Sequence, residues 1–243
     1  MEKRFFNERM TPNWNAFDKA YCISLAERPD RREEARAQFA RVGLAEKVEF
    51  VIVPRHCSDR EQGCYESHLG CMEKGLAAGA RNILIFEDDI FFDRFSPDLL
   101  QRGIDFMAAH PQWHMLFLGC MVKTSWATDY PAVRRIRYRS LTHAYVIRQA
   151  FARMLVRHHP WQGVPYDDFL RDLNDDQMYA VSPMIGFQSN SRSDNERYLP
   201  LDRFRRLCGG LTRLQKNNEF YHRYKWLIIG AHVLAFLLLL LAI

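Results

Sequence analysis

A chain of 243 residues makes one sizeable domain or at most two small ones, and 48% apolar residues give it the material for a packed core, which excludes a disordered or low-complexity protein. The formal charge of +5 is a mild excess. It gathers at Arg134-Arg135-Ile136-Arg137-Tyr138-Arg139 and between residues 203 and 225, not along one stripe, so nucleic acid is not an expected partner.

The first residues, Met1-Glu2-Lys3-Arg4-Phe5-Phe6, are charged and have no apolar run behind them, so no secretory signal is read there. Six scattered cysteines, at 22, 57, 64, 71, 120 and 208, are therefore expected as free thiols in a reducing compartment. From residue 20 onward strand and helix patterns alternate. Residues 20–25 read as a strand, 29–42 as a helix opened by a proline, 47–53 as a strand and 61–78 as a helix. Residues 82–86 form an apolar strand, 97–109 a helix, 114–118 a strand, 144–147 an apolar run leading into a helix at 149–158, and 178–181 a last strand. Strands separated by helices predict crossover units and an α/β fold with a mixed, mostly parallel sheet.

From Trp226 to Ile243 no residue carries a formal charge. A helix over that stretch reaches roughly 27 Å, close to the thickness of a bilayer core, and predicts one C-terminal transmembrane helix. Phe220, Tyr221, Tyr224 and Trp226 suit headgroup level, and Arg213, Lys216, Arg223 and Lys225 suit anionic membrane lipids. The positive flank precedes the apolar run, which implies a tail anchor with the large domain on the cytoplasmic face.

The strand at 82–86 runs straight into Glu87-Asp88-Asp89. Three adjacent carboxylates repel one another unless solvated or neutralised by a cation, and ligands of open α/β sheets bind at the carboxyl ends of strands. Alternation along an extended segment would put Glu87 and Asp89 on one face, two oxygen ligands for Mg²⁺ or Mn²⁺ carrying a diphosphate. The competing reading is a strand cap that starts a turn. Arg28 and Arg31 follow the first strand and either meet a diphosphate or open a solvated helix. Cys64, His68 and Cys71 share one helix face, but no fourth ligand is evident for a zinc site and cysteine often serves as a small core residue.

Four segments, in order, resemble glycosyltransferase family 25. They are Ile23-Ser24-Leu25-Ala26-Glu27-Arg28-Pro29-Asp30-Arg31-Arg32, then Gly63-Cys64 with Ser67-His68, then Glu87-Asp88-Asp89. The fourth is a looser set: Thr142-His143-Ala144-Tyr145-Val146-Ile147, Pro165-Tyr166-Asp167-Asp168-Phe169-Leu170, and Val181-Ser182-Pro183 with Gln188 and Ser193-Asp194. Ser24 stands where the family usually has Asn. The resemblance implies a GT-A-like nucleotide-sugar-binding fold, a UDP-hexose donor (galactose or glucose), Mn²⁺ or Mg²⁺ as cofactor, and inversion at the anomeric carbon. On it, Glu87 and Asp89 would hold the metal, and Ser24, Leu25, Arg28, Arg31, Ser67, His68 and Asp88 would meet the donor. Asp167 would be the catalytic base, with Asp168 as second choice, while His143, Gln188 and Asp194 are further candidate contacts.

The expected organisation is a catalytic domain at 15–198, a basic juxtamembrane linker or helix at 199–225 and the membrane anchor at 226–243. The expected activity is transfer of a hexose, galactose first, to a hydroxyl of a glycan or lipid-linked acceptor, as in lipopolysaccharide or lipooligosaccharide biosynthesis on a bacterial inner membrane. The alternatives are a membrane-anchored scaffold with a degenerate site, or another metal-dependent nucleotide-using transferase. No Gly-rich phosphate loop favours the latter.

Overall fold

A computed structural model describes residues 11–189 and 209–241. Its strands are β1 (Lys19–Leu25), β2 (Val48–Val53), β3 (Asn82–Glu87), β4 (Ile90–Phe92), β5 (Met115–Ala127), β6 (Val133–Arg148), β7 (Met178–Val181) and β8 (Gly186–Gln188). Its helices are α1 (Pro29–Arg41), α2 (Arg60–Ala77), α3 (Pro97–Ala109), α4 (Gln149–His158), α5 (Tyr166–Asp172) and α6 (Gly210–Leu241). Six strands form one sheet in the order β2-β1-β3-β6-β5-β7, and β4 pairs with β8 apart from it. β1 is parallel to β2 and β3, β5 is parallel to β7, and β6 is antiparallel to β3, β5 and β7. One strand of six therefore runs against the others, the mixed, mostly parallel sheet expected of a GT-A-like α/β fold.

The sheet is covered on both faces, so its central strands are apolar without a break: Ile83, Leu84, Ile85 and Phe86 are all fully buried. Alternate residues point to opposite layers. Tyr21, Ile83, Ile85, Phe117 and Tyr145 pack under α2, α4 and α5. Cys22, Leu84, Phe86, Leu116 and Val146 pack under α1 and α3. Local signals set the helix starts. Pro29 opens α1, the Asp59 carboxylate accepts from the backbone N–H groups of Glu61 and Gln62 at the start of α2, and Ser96 caps α3 ahead of Pro97.

The chain leaves β1 through α1 to β2 on one side, then crosses by α2 to β3 on the other. That reversal makes a switch point at the carboxyl ends of β1 and β3, where open α/β sheets bind ligands. Antiparallel β6 delivers residues 140–142 to the same edge, because Ala144 pairs with Phe86 near the end of β3.

β5 and β6 are far longer than the expected strands at 114–118 and 144–147. Several register shifts between Phe117 and Thr124 break the two-residue alternation, and arginines fill the exposed positions of β6. This conceals the hairpin in the sequence. The expected division at residue 198 lies outside the described residues. From Gly210 the chain is one helix that passes through Lys225 and Trp226 without a break.

The first turns of α6 are docked on the domain. Thr212 Oγ1 donates to the Gln188 carbonyl, Gln215 Nε2 to the Gly186 carbonyl and Asn218 Nδ2 to the Val122 carbonyl, while Asn218 Oδ1 accepts from Val122 N. The later turns are exposed and apolar, with a mean hydropathy of 2.0 over 18 residues, long and apolar enough to cross a membrane.

Candidate active site

A cavity of about 330 Å³ opens at the switch point. Its wall takes Ser24 and Leu25 from the end of β1, Arg31 from α1, and Arg55 and His56 from the loop after β2. Arg60, Cys64, Ser67 and His68 come from the first turns of α2, Glu87, Asp88 and Asp89 from the end of β3, residues 140–142 from β6, and Asp167 from α5. Gln188 and Leu211 close one side, so α6 contributes to the wall.

The chain turns immediately after Glu87, so the expected alternation within the acidic triplet does not hold: all three carboxylates face the cavity. Arg31 joins Asp88 to Asp89, with Nη1 at 3.3 Å from Asp88 Oδ1 and 3.6 Å from Asp89 Oδ2. Glu87 goes the other way. Its Oε1 accepts from Thr142 Oγ1 at 2.8 Å and lies 3.5 Å from His68 Nε2. His68 is fully buried, stacks on Tyr166 at 4.3 Å between centroids, and its Nδ1 is 2.9 Å from the Tyr145 hydroxyl. Burial opposes ionisation of Glu87, but His68 and the Thr142 hydroxyl outweigh it and hold the carboxyl below its ordinary range. Burial raises Asp88, and burial followed by the charge of Glu87 pushes Asp89 up to about 7.

Asp89 also decides whether the residues fit a divalent cation. Its Oδ2 accepts from Gln188 Nε2 at 2.8 Å, whereas its Oδ1 is buried with no hydrogen-bond partner. A cation would supply that partner and offset the carboxylate charge. Among the described residues no three His, Cys, Asp or Glu side chains converge into a ready-made cage. The donor set therefore suits a hard cation held by one or two carboxylates, with substrate oxygens and water completing its shell.

Asp167 is not a helix cap: Pro165 occupies that position and no side chain caps α5. Its carboxylate turns back to the sheet, where it accepts from the Tyr138 hydroxyl, from Leu141 N at 3.0 Å and from Thr142 Oγ1 at 3.3 Å. Burial raises its pKa despite the Tyr138 and Leu141 bonds. Leu141 itself has φ +75°, a conformation costly for a non-glycine residue and held here by the Asp167 bond.

Three expected site residues lie off the cavity wall. Asp168 pairs with Arg171 at 2.6 Å on the outer side of α5. Arg28 is turned to Asp30 at 2.8 Å. His143 is fully buried behind the wall, and desolvation lowers its pKa to about 4 against the opposing pull of Glu87 and the Gly186 carbonyl. Asp194 lies outside the described residues. Sequence reasoning gave no role to Thr142, whose hydroxyl bridges two carboxylates, or to the basic group of Arg55, His56 and Arg60. It also gave no role to Arg32, which pins the β1–α1 loop through Ser24 Oγ at 3.2 Å and the Leu25 and Ala26 carbonyls. Basic residues flanking β2 were the readable signal for the second group.

Residues 52–170 match the model of glycosyltransferase family 25 (LPS biosynthesis protein). This stretch is a family 25 domain. It takes in α2, the acidic triplet, Thr142 and Asp167, while β1, Arg31 and Gln188 lie outside the matched residues. The chain is 28% identical over 190 residues to human inactive glycosyltransferase 25 family member 3, covering 65% of this chain and 32% of that protein. It is 24% identical over 182 residues to an Aedes aegypti glycosyltransferase 25 family member, covering 62% of this chain and 30% of that one. The chain thus spans about a third of the length of these relatives. Among solved structures, a glycosyltransferase involved in glycosylation of the PBCV-1 major capsid superposes with a TM-score of 0.41 at 8% identity, covering 68% of this chain and 82% of that one.

Proposed function

We propose that the family 25 domain is a metal-dependent, inverting hexosyltransferase that moves a sugar, galactose first, from a UDP-sugar to a hydroxyl of a glycan or glycolipid. The observation that supports this reading is the link from Glu87 to Asp167 through the Thr142 hydroxyl, which sets two carboxylates from different elements on one cavity wall, where one would serve the donor and the other the acceptor. Glu87 and Asp89 would hold Mn²⁺ or Mg²⁺, which when bound supplies Lewis-acid stabilisation of the departing diphosphate. Arg31, Arg55 and Arg60 would bind the diphosphate oxygens through their planar forks of donors.

Asp167 would take the proton of the acceptor hydroxyl as its oxygen bonds to the anomeric carbon and the bond to UDP breaks. A carboxylate whose pKa is raised by burial is a stronger base than an exposed one, and the Tyr138 and Leu141 bonds fix its direction. The apolar helix would hold the domain beside a lipid-linked acceptor, and its preceding basic flank supports the cytoplasmic side. Lipopolysaccharide is one such acceptor class. The relatives named above are animal proteins and lend no support to a bacterial setting.

The second reading, a binding protein with a degenerate site, is favoured by one observation: the human relative is named inactive. One experiment separates the two. The detergent-solubilised full chain is titrated with a panel of UDP-sugars with and without Mn²⁺, and donor hydrolysis is followed. Metal-dependent binding of one UDP-hexose with turnover supports the transferase. Metal-dependent binding without turnover against any acceptor supports the binding protein, and no binding at all removes both.

A further inference from the structure

Four cations that have no ion pair among the described residues meet where the β5–β6 hairpin touches α6. Ser125 Oγ donates to the His222 carbonyl at 3.5 Å, and Arg134 Nε donates to the same hydroxyl at 3.0 Å. A small void walled by Ser125, Arg134, Ile136, Glu219 and His222 marks the seam. Arg139 and Lys225 act on His222 together with Arg134, and Arg223 acts on Arg134, so the four charges form one cluster. Among the described residues none of Arg134, Arg139, Arg223 and Lys225 has a carboxylate partner, whereas Arg137 on the same strand pairs with Asp176 at 2.8 Å. Beside the seam the Arg135 guanidinium lies 5.1 Å over the ring of Trp126, which is 38% exposed.

The height of this cluster along α6 selects its partner. His222 precedes Trp226, the first residue of the apolar run, by four residues, about 6 Å of helix rise. The interfacial zone between hydrocarbon and water is about 5–8 Å deep on each side of a bilayer. With the apolar run in a bilayer, the seam stands at headgroup level. The docked turns of α6 fix that height, because Asn218 is bonded twice to the backbone of Val122 and Glu219 accepts from Met184 N. Nucleic acids and acidic proteins also neutralise such charge, but only lipid phosphates are held at this level by the same chain.

We propose that the β5–β6 hairpin is a second membrane contact, and that Arg134, Arg139, Arg223 and Lys225 bind the phosphate headgroups of anionic lipids, with Trp126 at the interface beside them. The inference rests on α6 spanning a bilayer and is independent of the sugar-transfer reading.

The test uses the full chain in nanodiscs of phosphatidylcholine alone or doped with phosphatidylserine, and follows amide hydrogen exchange across residues 123–135. Exchange should be slower in the anionic discs. The difference should vanish at high salt and in an Arg134→Gln/Arg139→Gln variant, and should survive Arg137→Gln. Each neutralised cation is expected to weaken the preference for anionic lipid about fivefold. Unchanged exchange across β3 confirms that each variant is folded, and Lys225→Gln on α6 serves as an independent variant should the double substitution unfold the hairpin. Equal exchange in both lipids, or a difference that the charge-removing variants leave intact, overturns the proposal. Equal protection by a soluble oligonucleotide added to neutral discs overturns it too. A chain that incorporates into neither disc loses the span itself, a failure distinct from that of the headgroup contact.

Discussion

Arg94 Nη2 donates to Glu219 Oε2 at 2.6 Å across 125 residues of chain, and it fastens the docked part of α6 to the loop between β4 and α3. The other Glu219 oxygen accepts from Met184 N at 2.7 Å, and Lys216 pairs with Asp93 one turn away. The Glu219 side chain is only 9% exposed, so Glu219→Ala leaves a buried N–H without an acceptor and a guanidinium without its partner. It should cost about 2 kcal/mol of stability, discounted for the exposure of Arg94. The check is a lower unfolding midpoint of the full chain in detergent, with faster amide exchange at residues 184–188. An unchanged midpoint would mean that the helix is tethered and not docked.

Two adjacent aspartates differ in a way that kinetics can read. Asp167 lines the cavity and accepts three hydrogen bonds, while Asp168 pairs with Arg171 outside it. Asp167→Asn should lower kcat by about 10²–10⁴ with little change in UDP-sugar affinity, the range for loss of a positioned general base. Asp168→Asn should stay within about twofold of the parent, since a half-exposed ion pair contributes little. Equal losses in both variants would show that the carboxylates act through the helix and not through the acceptor.

This contrast also shows what the sequence could reveal. The apolar run at 83–86 ending in three carboxylates located both the central strand and the edge where the cavity opens, because a strand buried on both faces has few other patterns. The same text could not separate Asp167 from Asp168. Both follow a proline at a helix start, and only the bend of β6 at Leu141 decides which one meets the cavity. Thr142 was hidden for a related reason: its role depends on a long-range pairing of β6 with β3, whose register the bulged, arginine-rich hairpin conceals. Docking of α6 was illegible because Gln215, Asn218 and Glu219 read as ordinary polar residues of a juxtamembrane stretch.

Arg31 is the guanidinium that touches both Asp88 and Asp89. Arg31→Gln removes the charge and should destabilise the chain by about 3 kcal/mol, the order found when one partner of a buried pair is lost. If Asp89 and Glu87 take a divalent cation, Mn²⁺ should recover part of that loss. The melting temperature would then rise more on Mn²⁺ addition in Arg31→Gln than in the parent, and EDTA would cancel the difference. An identical small response in both proteins would count against a cation at this edge.

His143 gives a pH signature of its own. Buried neutral, with a pKa lowered to about 4 from an ordinary 6.5, it binds its proton in the unfolded chain before it does so in the folded one. Between those two values the unfolded state therefore holds more protons, so stability contributed by the neutral ring is present above pH 6.5 and is lost as pH falls towards 4. The full loss is about 3 kcal/mol at 1.36 kcal/mol per unit. Asp88, Asp89 and Asp167 have raised pKa values and act with the opposite sign, gaining stability on acidification, so the total slope is a sum. The decisive quantity is the difference between parent and His143→Gln, measured by denaturant unfolding from pH 7 down to pH 4. The variant should lose less stability over that interval, by up to about 3 kcal/mol. A parallel pair of curves would mean that the ring titrates alike in the folded and unfolded chain, the pull of the Glu87 carboxylate cancelling the effect of burial.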